Sequence, residues 1–213
     1  MTDSEITGEK SRDTSRKQER GIATRHELIR SARTVFARDG FEHTRLEDIA
    51  TEAGKSRGAF YANFKDKEDV FCAIFEEDID RDMAELSPLL LGLSTVEQRI
   101  EALSEYLREL SNDRERTLLS LEFKLYAIRH RGERKRLAAL HAAMRNSIPE
   151  LNQLIPQVFG ESAGARLTDT LAICGIVDGL AINHLFDPEA FDNQELLRYL
   201  KLCLRETLLG IDA

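Results

Sequence analysis

Between Thr44 and Phe64 the chain holds two apolar-periodic segments, each long enough for only about two turns of helix, joined by Ala53-Gly54-Lys55-Ser56. Glycine takes left-handed backbone without steric penalty, and a serine side chain accepts a hydrogen bond from a free amide at a helix start. The chain must therefore stop one helix at Gly54 and begin another at Arg57 within a single tight turn, the signature of a helix-turn-helix. Neither helix can bury its apolar face alone. The preceding segment supplies a third element, because Ile22, Leu28, Ile29, Ala32, Val35 and Phe36 recur at spacings of three and four and the run ends at Asp39-Gly40. Thr44 with Glu47 reads as a capping box for the second helix, which carries Leu46, Ile49, Ala50 and Ala53, and the third helix spans Arg57 to Phe64.

The remaining sequence continues in helices. Asp66 caps a long one carrying Val70, Phe71, Ile74, Phe75, Ile79 and Met83 as far as Leu86, before Ser87-Pro88. Val96 to Leu110, Thr117 to Arg129, Glu133 to Ser147, Ala165 to His184 and Gln194 to Leu209 are amphipathic, with a Pro149/Pro156 region between the third and fourth of them. No segment alternates as a half-buried strand does. The expected fold class is all-α, with an N-terminal three-helix helix-turn-helix domain and a larger C-terminal helical domain for ligand binding and dimerisation. The predicted boundaries are a flexible, polar arm over 1–18, the helix-turn-helix domain over 19–65, and a C-terminal domain of five or six helices over 66–213.

Composition narrows the function classes. No apolar run approaches the roughly 20 residues that span a bilayer, and the first 20 residues are polar, so a cytoplasmic protein without a membrane partner is expected. Cys72, Cys174 and Cys203 lie far apart, without a second cysteine or a histidine at metal-ligand spacing. They read as small core residues, and no metal, cofactor or catalytic residue is expected. There is no nucleophile elbow, phosphate-binding glycine loop or HExxH, which leaves an enzyme of small-molecule chemistry as the weakest class. Charge is uneven. Residues 1–65 carry 13 Lys and Arg against 11 Asp and Glu, whereas the remainder carries 17 against 27. A basic head on an acidic body permits a nucleic-acid partner, and equally permits ordinary solvated faces.

A helix-turn-helix places its second helix in the DNA major groove while helix ends and flanking cations hold phosphates. In SRGAFYANF, Ala59, Phe60 and Phe64 can face inward, leaving Arg57, Gly58, Tyr61 and Asn63 outward. Arg57 can bond a guanine edge in bidentate fashion, Asn63 a base or a phosphate, and Gly58 lets the backbone approach the groove. Tyr61 suits a phosphate. Thr44, Arg45 and Ser56 stand at helix starts, and Lys55 and Lys65 flank the reading helix as point charges. Thr44 and Ser56 as caps only, and Lys55 as a solvated turn residue, are the alternatives.

The span from Thr24 to Glu77 resembles the DNA-binding domain of TetR-family transcriptional regulators. The resemblance rests on the Phe-Ala-x-x-Gly-Phe end of the first helix, Thr44 followed by Ile49-Ala50, Ala53-Gly54, and Ser-x-Gly-x-Phe-Tyr-x-x-Phe before Lys65-Asp66-Lys67. Lys55 and Asn63 stand where such proteins often have an apolar residue and a histidine. The resemblance implies a dimeric repressor that reads a palindromic operator in double-stranded DNA and is released by a small, hydrophobic effector held among the middle helices. The helix from Asp66 would serve as the lever. An activator, or a redox sensor acting through Cys72 or Cys174, is the alternative on the same fold.

For the effector, Phe71, Phe75, Tyr106, Phe123, Tyr126, His141 and Met144 offer aromatic or soft lining, and Asp178 and Asn183 are polar in an apolar helix. The same residues can instead form core, or bond across an interface. The last two helices carry more apolar surface than one chain explains. A homodimer through Leu171, Gly175, Gly179, Ile182, Leu197, Leu200, Leu204 and Leu208 would bury it; packing within one chain is the other reading.

Overall fold

The computed structural model describes residues 3–132, 134–146, 149–160 and 167–209, with side chains described for 16, 18–132, 134–139, 142, 153–160 and 172–209. The described residues form ten helices and no strand: α1 (Asp3–Asp39), α2 (Leu46–Glu52), α3 (Arg57–Tyr61), α4 (Lys67–Leu91), α5 (Val96–Asn112), α6 (Arg114–Arg129), α7 (Arg134–Asn146), α8 (Pro149–Phe159), α9 (Leu167–Phe186) and α10 (Asn193–Leu209). None is long and apolar enough to cross a membrane, among the residues described.

Two compact units divide inside α4, Met1–Ile74 and Phe75–Ala213, rather than at Lys65. The reason lies in the first unit's core. Val70, Phe71 and Ile74 are fully buried with Leu28, Ala32, Val35 and Phe36 of α1, Ile49 of α2, and Phe60 of α3. The ring of Phe36 lies 5.1 Å from Phe41 and 5.5 Å from Phe71, and Phe41 and Phe71 are 5.0 Å apart, an aromatic triangle that ties the start of α4 to the end of α1. Gly40, at φ 80°, ends α1 in left-handed backbone as its sequence position predicts. Cys72 is buried in this unit, as a core residue would be.

Two expectations about α1 are corrected. The helix already begins at Asp3, inside the stretch expected as a flexible arm over 1–18. Residues 3–18 hold no proline, and a helix that propagates from a packed one adds a hydrogen bond per residue without a new nucleation step. Ile22 is 52% exposed, so the core stripe begins at Leu28.

The second unit packs Met83, Leu86 and Leu90 of α4 with Ile100 and Leu103 of α5, Leu154, Val158 and Phe159 of α8, and Leu204 and Leu208 of α10. The α10 stripe assigned to a dimer is therefore internal: Leu200, Leu204 and Leu208 are buried by their own chain and Leu197 is half-buried. α4 also runs past Ser87-Pro88, because burial of Leu90 outweighs the amide that Pro88 lacks. The Pro149/Pro156 region is helix α8. Pro149 occupies the first helical position, where an N–H is dispensable, and Leu154, Val158 and Phe159 hold the turns around Pro156 against the core. Arg99 reaches from α5 to the end of α8, donating from Nη1 to the Val158 carbonyl at 2.5 Å.

Polar contacts fix the register of these helices. Asp82, 8% exposed, accepts from Tyr106 Oη at 2.9 Å and from Arg116 Nη1 and Nη2 at 3.0 and 2.5 Å, joining α4 to α5 and α6. Burial and the Asp82 carboxylate push the Tyr106 phenol well above its usual range. Asp178 accepts from Ser120 at 3.2 Å and pairs with Lys124, and buried His184 bridges the Phe191 carbonyl and Asn112 Oδ1 at 2.7 and 3.1 Å.

Candidate nucleic-acid interface

The turn between α2 and α3 is built as its residues require. Gly54 takes φ 62°, and the Lys55 N–H reaches back to the Ala50 carbonyl at 2.8 Å. Ser56 caps α3 by accepting from the Ala59 N–H at 3.1 Å. Phe60 and Phe64 turn into the core, their rings 5.7 Å apart, which rotates Arg57, Gly58 and Tyr61 outward on one face. Ser56, Arg45 and Lys65 are also exposed.

The Arg57 guanidinium lies between two neighbours. Nη1 is 3.0 Å from Glu47 Oε1 on α2, Nη2 donates to Tyr61 Oη at 3.4 Å, and Cζ stands 5.5 Å from the Tyr61 ring centre. The Tyr61 hydroxyl and then the Glu47 carboxylate raise its pKa above the usual arginine range. Gly58 has no internal reason to be glycine: its φ is not left-handed, and an added Cβ would meet only Ser56 Oγ, at 3.8 Å. Its bare backbone is open to whatever approaches α3.

Other candidates are placed differently from their sequence reading. Thr44 is 3% exposed and its hydroxyl donates to the Gly40 carbonyl at 2.7 Å, so it anchors the loop before α2. The cap lies one residue on, where Asp48 accepts from the Arg45 N–H at 2.9 Å, and Thr44 is too enclosed to hold a phosphate with its side chain. Lys55 lies 2.5 Å from Glu27 Oε2 of α1, and its ammonium holds the Glu27 carboxyl below the usual carboxylate range. Asn63 is half-buried with its amide donating to the Ala59 carbonyl at 2.8 Å. Both side chains are spent on the fold. Two residues escaped sequence reading. Arg25 donates to the Asn63 carbonyl at 3.2 Å and covers the Phe64 ring at 4.4 Å. Lys67 donates to the Phe41 and Glu42 carbonyls at 2.8 and 3.0 Å, and burial depresses its pKa. Their signal is tertiary, since each acts on residues 25 or more positions away.

The effector candidates do not all fall in one unit. Phe71 belongs to the first unit, where it is fully buried in the core. Phe75 faces buried Phe123 with ring centres 6.5 Å apart, Tyr126 stacks on His130 at 4.3 Å, and Tyr106 is bonded to Asp82. Asn183 donates to the Gly179 carbonyl at 2.7 Å and Asp178 is engaged by α6, so neither is an unsatisfied polar group. The side chains of His141, Met144 and Leu171 lie outside the described residues.

The profile of "Bacterial regulatory proteins, tetR family" matches residues 28–74. The HTH-type transcriptional regulator YfiR of Bacillus subtilis is 30% identical over 190 residues, 85% of this chain and 90% of YfiR. The HTH-type transcriptional regulator AcrR of Shigella flexneri is 31% identical over 205 residues, 87% of this chain and 90% of AcrR. In fold, the transcriptional regulator FadR of Bacillus subtilis, solved in complex with stearoyl-CoA, superposes with a TM-score of 0.59 at 18% identity, covering 87% of this chain and 98% of that one.

Proposed function

Since this chain belongs to the tetR family of bacterial transcriptional regulators, it is a DNA-binding regulator and not an enzyme, and we propose that it represses transcription as a homodimer on a palindromic operator. The observation that carries the reading is the outward face of α3, where Arg57, Gly58 and Tyr61 serve no core and Ser56 fixes the helix start. Arg57 reads a guanine edge, Tyr61 and Lys65 hold phosphates, and Arg45 lies at the start of α2 as a further phosphate contact. The dimer uses the apolar residues that α9 and α10 leave in solvent: Ile182, Phe186 (86% exposed), Tyr199 and Leu202. A Cβ added at Gly175 or Gly179 would meet nothing within 4 Å among the described residues, so a second copy can approach closely there.

The effector is a small hydrophobic molecule held in the second unit near Phe75, Phe123, Tyr106 and Tyr126. FadR's complex with stearoyl-CoA supports a ligand of that character. Such a ligand acts only through a difference in affinity between the DNA-bound and free forms, typically about 1–3 kcal/mol, and operator DNA must weaken it by the same factor.

The test is selection of bound fragments from genomic DNA by the purified protein near physiological salt, with sedimentation of the free protein. An inverted repeat bound by a dimer is expected; a folded dimer that enriches no sequence would overturn the reading. On the selected operator, Arg57→Ala is expected to lose about 1–3 kcal/mol and relax the preference at one base pair, whereas Lys65→Ala weakens all sequences alike. Gly58→Ala separates the fold from the interface. The isolated protein should keep its stability or gain up to about 1 kcal/mol, because alanine suits a helix better. Operator affinity should fall at least about tenfold, or about 1.4 kcal/mol, as the Cβ meets the groove. Thermal melts beside operator titrations read both; unchanged affinity would move the DNA away from Gly58.

A further inference from the structure

Leu28 is the first buried residue among the described side chains of α1, and every described residue from Arg16 to Ala23 is exposed. The described residues of this stretch contribute nothing to the core. Its position is nevertheless defined at its inner end. Arg25 bonds the Asn63 carbonyl at 3.2 Å and covers the Phe64 ring, just past the end of α3, and Glu27 pairs with Lys55 in the turn that leads into α3. The exposed part of α1 therefore leaves the domain from the flank of the helix-turn-helix.

The charge on that stretch is not uniform. Residues 3–13 hold Lys10 and Arg12 against Asp3, Glu5, Glu9 and Asp13, whereas residues 14–25 hold Arg16, Lys17, Arg20 and Arg25 against Glu19 alone. The cations are concentrated in the turns of α1 that lead up to Arg25. Arg16 and Arg20 stand four residues apart, about 6 Å along the helix axis and on the same side. Like charges at that spacing repel one another on a solvated helix. Neither arginine has a hydrogen bond or ion pair to another described residue, and Glu19 alone, between them, cannot balance the cations of residues 14–25. A row of phosphates would. The family profile begins at Leu28, so these residues lie ahead of the domain that the family shares.

We propose that the turns of α1 bearing Arg16 and Arg20 form a second DNA-backbone contact, which grips phosphates flanking the base pairs read by α3 and lengthens the bound site without adding sequence preference. Arg25 positions this stretch by holding α1 against the end of α3. The inference rests on the DNA-reading role of α3 proposed above.

Full-length wild-type protein and an Arg16→Ala/Arg20→Ala double variant would be titrated with the selected operator and with a non-cognate duplex from 50 to 200 mM salt, alongside hydroxyl-radical footprinting. The expected slope of log affinity against log salt is shallower by about two per bound protomer, since each phosphate contact contributes roughly 0.9. Protection should shrink at the outer edges of the footprint, while the ratio of operator to non-cognate affinity stays within twofold. Removing two exposed cations of the second unit, Arg131→Ala/Arg134→Ala, controls for net charge and should leave slope and footprint as in wild type. An unchanged melting temperature shows that the double variant is folded. A wild-type slope and footprint in Arg16→Ala/Arg20→Ala would overturn this inference alone. Loss of sequence discrimination by wild-type protein would instead overturn the role given to α3, and the slope on the non-cognate duplex would still decide between contact and no contact along α1.

Discussion

Replacing Phe36 by alanine is expected to destabilise the first unit by about 3–5 kcal/mol and to remove sequence-specific DNA binding with it. Phe36 is fully buried and forms two sides of the aromatic triangle with Phe41 and Phe71, so the truncation empties the point where α1, the following loop and α4 meet. Domains of this kind keep only about 5–15 kcal/mol in total, and one cavity here consumes a large fraction of that. Urea unfolding followed by circular dichroism should show an early transition that wild type lacks. Phe36→Leu, which fills more of the space, should fall well short of the alanine variant. A loss under about 1 kcal/mol for Phe36→Ala would mean that the triangle is not what holds α4 to the domain.

The second large effect is expected at Asp82. Its carboxylate receives two bonds from Arg116 and one from Tyr106 in a mostly buried setting. Asp82→Ala leaves the guanidinium enclosed without its counter-charge and the phenol without its acceptor, and should lower stability by about 3–5 kcal/mol. Replacing both members of the ion pair by apolar residues of similar volume, Asp82→Leu with Arg116→Met, should recover most of the loss, because no lone charge then remains buried. Equal losses for the single and the double replacement would show that packing around α4, and not the uncompensated charge, sets the effect.

Much of this architecture is legible in the sequence because it rests on local chemistry. Gly40 and Gly54 end α1 and α2 in left-handed backbone, Ser56 caps α3, and Asp66 receives the Asp69 N–H at the start of α4. What escapes is decided by partners distant in the chain. Thr44 has the right spacing for a capping box, yet its hydroxyl is drawn to the Gly40 carbonyl and the cap passes to Arg45 and Asp48. Pro88 and Pro156 read as stops, and burial of Leu90 and Val158 carries the helices through them. The leucines of α10 have the period of an interface, but periodicity names a buried stripe without saying which chain buries it, and α9 and α5 of the same chain are the answer. Polar residues within the apolar α9 invite a ligand reading until their partners are seen: Asp178 has Lys124 and Ser120, and His184 has Asn112 and the Phe191 carbonyl.

The contact between Arg57 and Glu47 bears on how a reader of this kind searches a genome. With the base-reading role proposed for Arg57, recognition is an exchange of partners and not the filling of an empty site, because in the free protein the guanidinium already has a carboxylate at 3.0 Å. On a duplex that offers no matching pair of acceptors, Arg57 stays with Glu47 and the encounter is held by backbone charges alone, which are salt-sensitive and quick to let go. A guanine that outcompetes the carboxylate converts that fleeting encounter into a long-lived one. Residence time, more than frequency of collision, then separates the operator from the rest of the chromosome.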